Sequence, residues 1–217
     1  FLLEMAGLSA YLEDQGGHSD FEILLGQLDS VATAKSSTPS QLQWFDLVQD
    51  LSALIKKVPS STVKIQQRKC EATLVEVLLR GCGPSIRRNI CNILAKLYEI
   101  GDAVPIYSRV GMLQSYLSER GVISGRESSE TSRCGALECL AALCKSHGGM
   151  LANTMEHTVS AAAKHAYAKE GTVRCAALSV LAEAVLGGRA TRNAEALQVE
   201  ALKVARWNAK DKSADVR

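Results

Sequence analysis

Histidines and cysteines are the side chains of this 217-residue chain that are best suited to metal binding or nucleophilic chemistry. His157 and His165 are eight residues apart, about two helical turns, so they could share one helix face. No HExxH pattern and no cysteine at ligand spacing completes a zinc site beside them, which favours solvated or capping roles. The chain also contains no Walker loop, GxGxxG or GxSxG. We therefore predict no catalytic centre, metal or cofactor, and a protein that is not an enzyme.

The seven cysteines are predicted to be small apolar core residues. Cys134, Cys139 and Cys144 step by five, so they rotate around a helix instead of converging on a metal. The cysteine number is odd, no CxxC pair occurs, and the spacing does not suit a small disulfide scaffold. Reduced thiols in a cytoplasmic protein are the preferred interpretation.

A short phrase recurs around four arginines that are spaced 46, 41 and 43 residues apart. The arginines are Arg87, Arg133, Arg174 and Arg217. Two positions before each stands a side chain that often caps a helix start, namely Ser85, Thr131, Thr172 and Asp215. Leu-Ala follows the first three arginines at seven and eight positions, and glycine follows at thirteen to fifteen. The phrase predicts a helix of about four turns that begins at a cap and stops at a glycine.

A period of 41 to 46 residues that carries two helices is typical of α-solenoids of the HEAT or armadillo kind. The apolar residues are mainly Ala, Leu and Val, and only 5% of residues are aromatic, which suits close-packed helices. We predict an all-α solenoid of about four and a half HEAT-type hairpins after a leading helix at Phe1–Asp14. Residues 1–217 are expected to form one array, a fragment of a longer one, with hairpins at 20–58, 62–101, 104–147, 153–187 and 193–217.

The phrase arginines have two interpretations. Each lies in the first turn of a helix, where the helix dipole disfavours positive charge, so a carboxylate or carbonyl of the adjacent repeat should offset it. Because the residue recurs at one place in each repeat, a ladder between repeats is preferred over an anion or phosphopeptide groove. Replacing Arg174 should then lower stability modestly.

A second group of cations is a candidate for partner binding. Lys64, Arg68, Lys69 and Arg88 could meet an acidic partner or a lipid headgroup, although such a group is more often a solvated face. The formal net charge of +2 is too small to favour nucleic acid. No apolar run approaches the roughly 18 residues of a membrane span.

Several short segments resemble the HEAT repeat-containing protein 5 family. They are Gln67-Arg68-Lys69-Cys70-Glu71, Gly101-Asp102, Ile106-Tyr107-Ser108-Arg109, Thr172-Val173-Arg174 and the run from Lys212 to Arg217. The resemblance covers roughly residues 40–217 and is to the N-terminal part of those very long proteins. Within the family, the plant branch of SWEETIE proteins fits best; the yeast branch is a large accessory protein of a clathrin adaptor.

The resemblance implies a cytoplasmic, non-enzymatic scaffold that associates with the heterotetrameric clathrin adaptor at the trans-Golgi network and endosomes. Membrane contact would then be indirect, and no catalytic residue carries over. The alternative is a HEAT scaffold of another class, such as a nuclear transport receptor or a phosphatase scaffold. Terminal repeats that lack polar caps should expose apolar faces, so we also expect self-association that depends on concentration.

Overall fold

The computed structural model describes residues 20–33, 40–118 and 129–217. These ranges contain helices and no strand, which confirms the all-α prediction. The first helix, α1, covers residues 20–33. The others are α2 (Gln41–Leu54), α3 (Ser60–Gly81), α4 (Pro84–Ile100), α5 (Ile106–Ser118), α6 (Glu130–His147), α7 (Met155–His165), α8 (Gly171–Gly187) and α9 (Ala194–Asn208). Short 3-10 helices at Met150–Thr154 and Gly188–Ala190 precede α7 and follow α8. The predicted leading helix at Phe1–Asp14 lies outside the described residues.

The described chain divides into two compact units. The first contains the described residues up to Val77 together with Pro84–Ala103, and the second contains Leu78–Gly83 and the described residues from Val104 to Arg217. In the first unit, α2 packs on α4. The hydroxyl of Ser60 at the start of α3 donates to the carbonyl of Ile100 at the end of α4 (2.6 Å), so these two helices run antiparallel.

The second unit stacks its helices in two layers. One layer consists of α6 packed on α8, and the other contains α5, α7 and α9 in that order. Contacts of α5 with α6, of α7 with α8 and of α8 with α9 join the layers. This nearest-neighbour arrangement is that of a solenoid, in which each hairpin buries the apolar stripe of the next.

Apolar spacing accounts for where the helices form and what they bury. In α4, Ile86, Ile90, Ile93, Leu94 and Leu97 recur at helical spacing, and all are at most 3% exposed. At the start of α2, Ser40 and Gln43 form a reciprocal capping box, in which each side chain accepts from the backbone N–H of the other.

The caps predicted for α4, α6 and α8 are each wrong by two positions. Ser129, and not Thr131, caps α6, because its Oγ accepts from the backbone N–H of Ser132 (3.1 Å). The helix α4 starts at Pro84, whose fixed φ suits the first helical position, so Ser85 lies inside it. Helix α8 starts at Gly171, and the side chain of Thr172 donates instead to the Glu130 carboxylate.

Polar side chains link positions that are about one repeat apart. In the first unit, Asn89 donates to Gln49, Gln66 to Glu22 and Thr73 to Asp29, over 40 or 44 residues. In the second, Gln114 donates to the carbonyl of Thr154 and to the hydroxyl of Thr158, over 40 and 44 residues, and Tyr107 donates to the carbonyl of Met150 over 43. The sequence separation of these hydrogen-bond partners is therefore close to the spacing of the phrase arginines.

Candidate functional site

Arg174, in the first turn of α8, pairs with both a carboxylate and backbone carbonyls. Its Nε and one terminal nitrogen donate to the two carboxylate oxygens of Asp211 at 2.6 and 2.7 Å. Its other terminal nitrogen donates to the carbonyls of Ala168 and Lys169 at 2.9 and 2.8 Å. The two charged side chains are only 16% and 11% exposed. A bidentate, largely enclosed pair of this kind fixes geometry as well as charge.

The same carboxylate also organises the segment after α9. Asp211 accepts from the backbone N–H of Ser213 at 2.8 Å, so it joins the first turn of α8 to the turn that leads into the next arginine phrase. The hydrogen bond from Arg174, with that from Ser213, holds the pKa of Asp211 below its ordinary value. Burial acts in the opposite direction and is outweighed.

Arg133 in α6 forms the corresponding but weaker contact. It lies 3.2 Å from the Glu170 carboxylate, and the two side chains are 21% and 32% exposed. The pKa of Glu170 is lowered chiefly by a hydrogen bond from its own backbone N–H, with Arg133 adding to the effect. Both carboxylates follow their arginine by 37 residues. The arginines therefore reach acidic residues of the next hairpin at one constant spacing.

The other two phrase arginines have different surroundings. Arg87 is 7% exposed within α4, and the residue 37 positions after it lies outside the described residues. Arg217 is exposed and follows the buried Val216. For Arg87 and Arg217 the ladder between repeats stays a prediction.

The carboxylate partners are the site residues that the sequence analysis did not identify. Glu170 and Asp211 stand at different positions relative to the next phrase, four and six residues before its arginine, so alignment on the arginines hides them. Both stand 37 residues after their own arginine, but the residue at that distance after Arg87 is Ser124, so the spacing alone would not have identified them. The carbonyls of Ala168 and Lys169 carry no side-chain signal, so only the structure could reveal them.

The second predicted group consists of exposed cations in the first unit. Lys64, Arg68 and Lys69 are exposed on α3, and Arg88 is exposed near the start of α4. The neighbouring Ile65 is 71% exposed, which adds an apolar element to this charged surface. The group is accessible to a partner, and its binding role stays a prediction.

Residues that carried the family resemblance meet in the first unit. The amide nitrogen of Gln67 donates to the carbonyl of Asp102 (2.6 Å) and to the Glu71 carboxylate (2.9 Å), and its oxygen accepts from the N–H of Asp102 (2.7 Å). Gln67 and Glu71 are 2% and 3% exposed. A Cβ at Gly101 would overlap the Gln67 amide oxygen, so this clamp needs glycine there. The clamp attaches α3 to the end of α4.

The two candidate metal-binding histidines have separate environments. His157 is exposed, whereas the Nε2 of His165 lies 3.0 Å from the carbonyl of Leu117. Burial lowers the pKa of His165, a trend that the Leu117 carbonyl opposes and the charges of Arg133 and Lys164 reinforce. Within residues 20–33, 40–118 and 129–217, no three or more His, Cys, Asp or Glu side chains are grouped as metal ligands.

The cysteines lie mostly in the hydrophobic core. Six of the seven are buried and Cys175 is half-buried, which confirms the prediction of core thiols. Burial, with the charge of Glu183 and the neighbouring Cys139, raises the pKa of Cys144 to about 12, so its thiolate is scarcely formed near neutral pH.

Replacement of Arg174 by alanine tests the ladder. It removes four hydrogen bonds and leaves Asp211 without its bidentate partner, so we expect a melting temperature that is lower by roughly 2–4 °C in thermal denaturation followed by circular dichroism. Arg133→Ala, which breaks a longer and more exposed contact, should have less than half that effect. Equal shifts for both variants would contradict the different contributions inferred from the geometry.

The Arg174 contribution should also depend on pH. Since the folded pKa of Asp211 lies below its ordinary value of 3.8, the pair stabilises the fold above about pH 3.8. That contribution is lost as pH falls through the lower folded pKa. We therefore expect the difference in melting temperature between the unaltered chain and Arg174→Ala to be constant from pH 5 to 7, and to shrink below about pH 3.8.

A comparison with curated proteins identifies one similar chain. Over 200 residues, which make up 92% of this chain, it is 32% identical to Protein SWEETIE of Arabidopsis thaliana. The chain spans about 9% of the length of that relative. No protein-family profile matches the chain.

Proposed function

Because that similarity confirms the resemblance to the plant branch, the chain belongs with the SWEETIE-like proteins, and on this premise we propose that it is a non-enzymatic protein-interaction scaffold. The observation that carries the proposal is the stacking of hairpins in the second unit, where α6 and α8 form one layer and Arg133 and Arg174 reach carboxylates of the next hairpin. Such stacked hairpins build extended surfaces, which proteins of this architecture use to bind partners.

The more specific proposal is a role in clathrin-adaptor-dependent transport between the trans-Golgi network and endosomes. The family resemblance, and not any contact in the fold, supports this role. A protein held there would act from the cytoplasm and reach the membrane through its partners. No helix among the described residues is both long and apolar enough to cross a membrane.

Affinity purification of the full-length protein that contains this chain tests the proposal. Partners would be identified by mass spectrometry, with and without residues 1–217. Recovery of clathrin-adaptor subunits supports the trafficking role, and their loss on deletion assigns the contact to this segment. Recovery of transport receptors' cargo or of phosphatase subunits instead would support the alternative scaffold classes.

The exposed cations of the first unit give this experiment a matched variant. Reversing Lys64, Arg68 and Lys69 to glutamate changes charge on an exposed helix face and leaves the buried side of α3 intact. If these side chains contact the partner, we expect at least about a tenfold loss of captured adaptor, because several charge contacts disappear together. Unchanged capture would assign them to a solvated face.

Self-association is proposed on the basis of an apolar face formed by α8 and α9. Leu186 and Leu202 line a groove of about 530 Å³ there and are 48% and 49% exposed. Leu137 and Ala141 of α6 are 0% and 9% exposed, whereas the residues at the same phrase positions in α8, Leu178 and Ala182, are half-buried and exposed. The face therefore has the composition of a stacking surface, and no helix of the described residues covers it.

Light scattering measures this association directly. We expect the mean mass of the chain to rise with concentration, and the double variant Leu186→Glu with Leu202→Glu to stay monomeric. A monomer at the highest concentration reached would refute self-association.

A further inference from the structure

A groove of about 560 Å³ lies between α7 and α9 on the surface of the second unit. Val159 and Leu197, which are 2% and 5% exposed, supply apolar lining from the two helices. Ser160 of α7 and Asn193 just before α9 add polar groups. The groove therefore combines an apolar floor with hydrogen-bonding groups, as peptide-binding clefts do.

Two large aromatic side chains stand at one end of this groove. Tyr167 lines it, and Trp207 packs against Tyr167 edge to face, with ring centroids 5.9 Å apart and an interplanar angle of 66°. They are nevertheless 52% and 70% exposed. Trp and Tyr are among the residues that contribute most to binding energy in interfaces. Here a large part of each side chain is accessible to a ligand. The pair is a preformed apolar platform.

The walls of the groove are acidic on balance. The described residues that line it include two carboxylates, Glu156 and Glu200, and one cation, Lys164. Glu156 accepts only a long hydrogen bond from Asn193 (3.3 Å), and Glu200 makes an exposed contact with Lys203 (3.5 Å). Exposed contacts of this kind contribute little and are readily exchanged for a ligand's charge. A cationic ligand therefore complements the groove.

The dimensions match a short extended peptide. Glu156 and Tyr167 are eleven residues apart, roughly 16 Å along a helix at 1.5 Å per residue. A polyproline II segment rises about 3.1 Å per residue, so about five residues cover that distance. Proline rings pack on exposed Trp and Tyr side chains, and the extended conformation is ordered before it binds.

We infer that the groove between α7 and α9 binds an extended, proline-containing peptide that carries arginine or lysine near one end. The prolines lie on Tyr167 and Trp207, and the cation pairs with Glu156 or Glu200. This partner class goes beyond the adaptor proposal, and either proposal can fail without the other.

A synthetic array of ten-residue peptides tests the inference, with the numbers of prolines and arginines varied independently and the purified 217-residue chain as the probe. We expect peptides with both residue types to bind best, and Trp207→Ala to reduce their binding at least about tenfold. Reversal of Glu156 and Glu200 to arginine should shift the preference from basic to acidic peptides.

Two controls separate binding from folding. Val199→Ala removes another exposed apolar side chain of α9, one that lines neither this groove nor the apolar face of α8 and α9, and should leave peptide binding unchanged. Trp207→Ala should keep the helical circular dichroism spectrum, because the indole is 70% exposed. The inference is overturned if proline-and-arginine peptides are not enriched, if helical or acidic peptides bind as well, or if Trp207→Ala binds them undiminished.

Discussion

Replacement of Gly148 by alanine is expected to lower the free energy of unfolding by about 3 kcal/mol, because no room exists for a methyl group. An added Cβ would lie 2.5 Å from the Cα of Gly187 and 2.7 Å from the carbonyl oxygen of Cys144. Both obstacles are backbone atoms, which cannot rotate away. The ends of α6 and α8 would therefore have to separate. Chemical denaturation followed by circular dichroism measures the change.

The adjacent glycine is the matched control. Gly149 has a right-handed backbone (φ −60°, ψ −38°), and an added Cβ there meets no atom within 4 Å. Gly149→Ala should therefore be neutral or stabilise the fold by up to about 1 kcal/mol, through the smaller entropy of the unfolded chain. A similar loss for both variants would show that position 148 does not mark a close approach of helices.

Replacement of Gln67 by glutamate should destabilise the first unit by about 3 kcal/mol at neutral pH, although the two side chains have the same shape. The substitution removes the amide N–H groups that donate to Asp102 and Glu71, and it sets a second buried carboxylate against Glu71. Two adjacent carboxylates cannot both ionise without a large cost. Chemical denaturation followed by circular dichroism measures the loss.

Gln66 provides a control with the same chemistry at a half-buried position, opposite an exposed carboxylate. Its amide donates to the Glu22 carboxylate at 2.6 Å, so Gln66→Glu also creates a pair of carboxylates, but one accessible to solvent. We expect that variant to lose less than about 1 kcal/mol. The double variant Gln67→Glu with Glu71→Gln should regain part of the stability. Absence of any regain would contradict repulsion as the cause.

The helices were predictable because their apolar spacing is local information. The stripe in α4 and the glycines after α4 and α6 fixed the start and end of those elements to within a few residues. The physical reason for the glycines was not predictable. Gly148 has ordinary helical dihedral angles, and the constraint on it comes from Gly187, on another helix.

The candidate site was predictable only on the arginine side. The helix dipole argument required a partner for an arginine in the first turn of α8 and indicated the adjacent repeat. Which carboxylate pairs with the arginine depends on how far the following hairpin is displaced along its neighbour. The positions of Asp211 and Glu170 relative to the next phrase arginine do not reveal this displacement.

The spacing of the polar contacts also has a consequence for synthesis on the ribosome. Hydrogen bonds between neighbouring hairpins, such as those of Arg174 and Gln114, join residues 37 to 44 positions apart. At translation rates of about 5–20 residues per second, Asp211 is made roughly 2–7 s after Arg174. Each hairpin can thus pack on its predecessor while later hairpins are still being made. The time for which an apolar helix face stays exposed to solvent therefore does not grow with the length of the polypeptide.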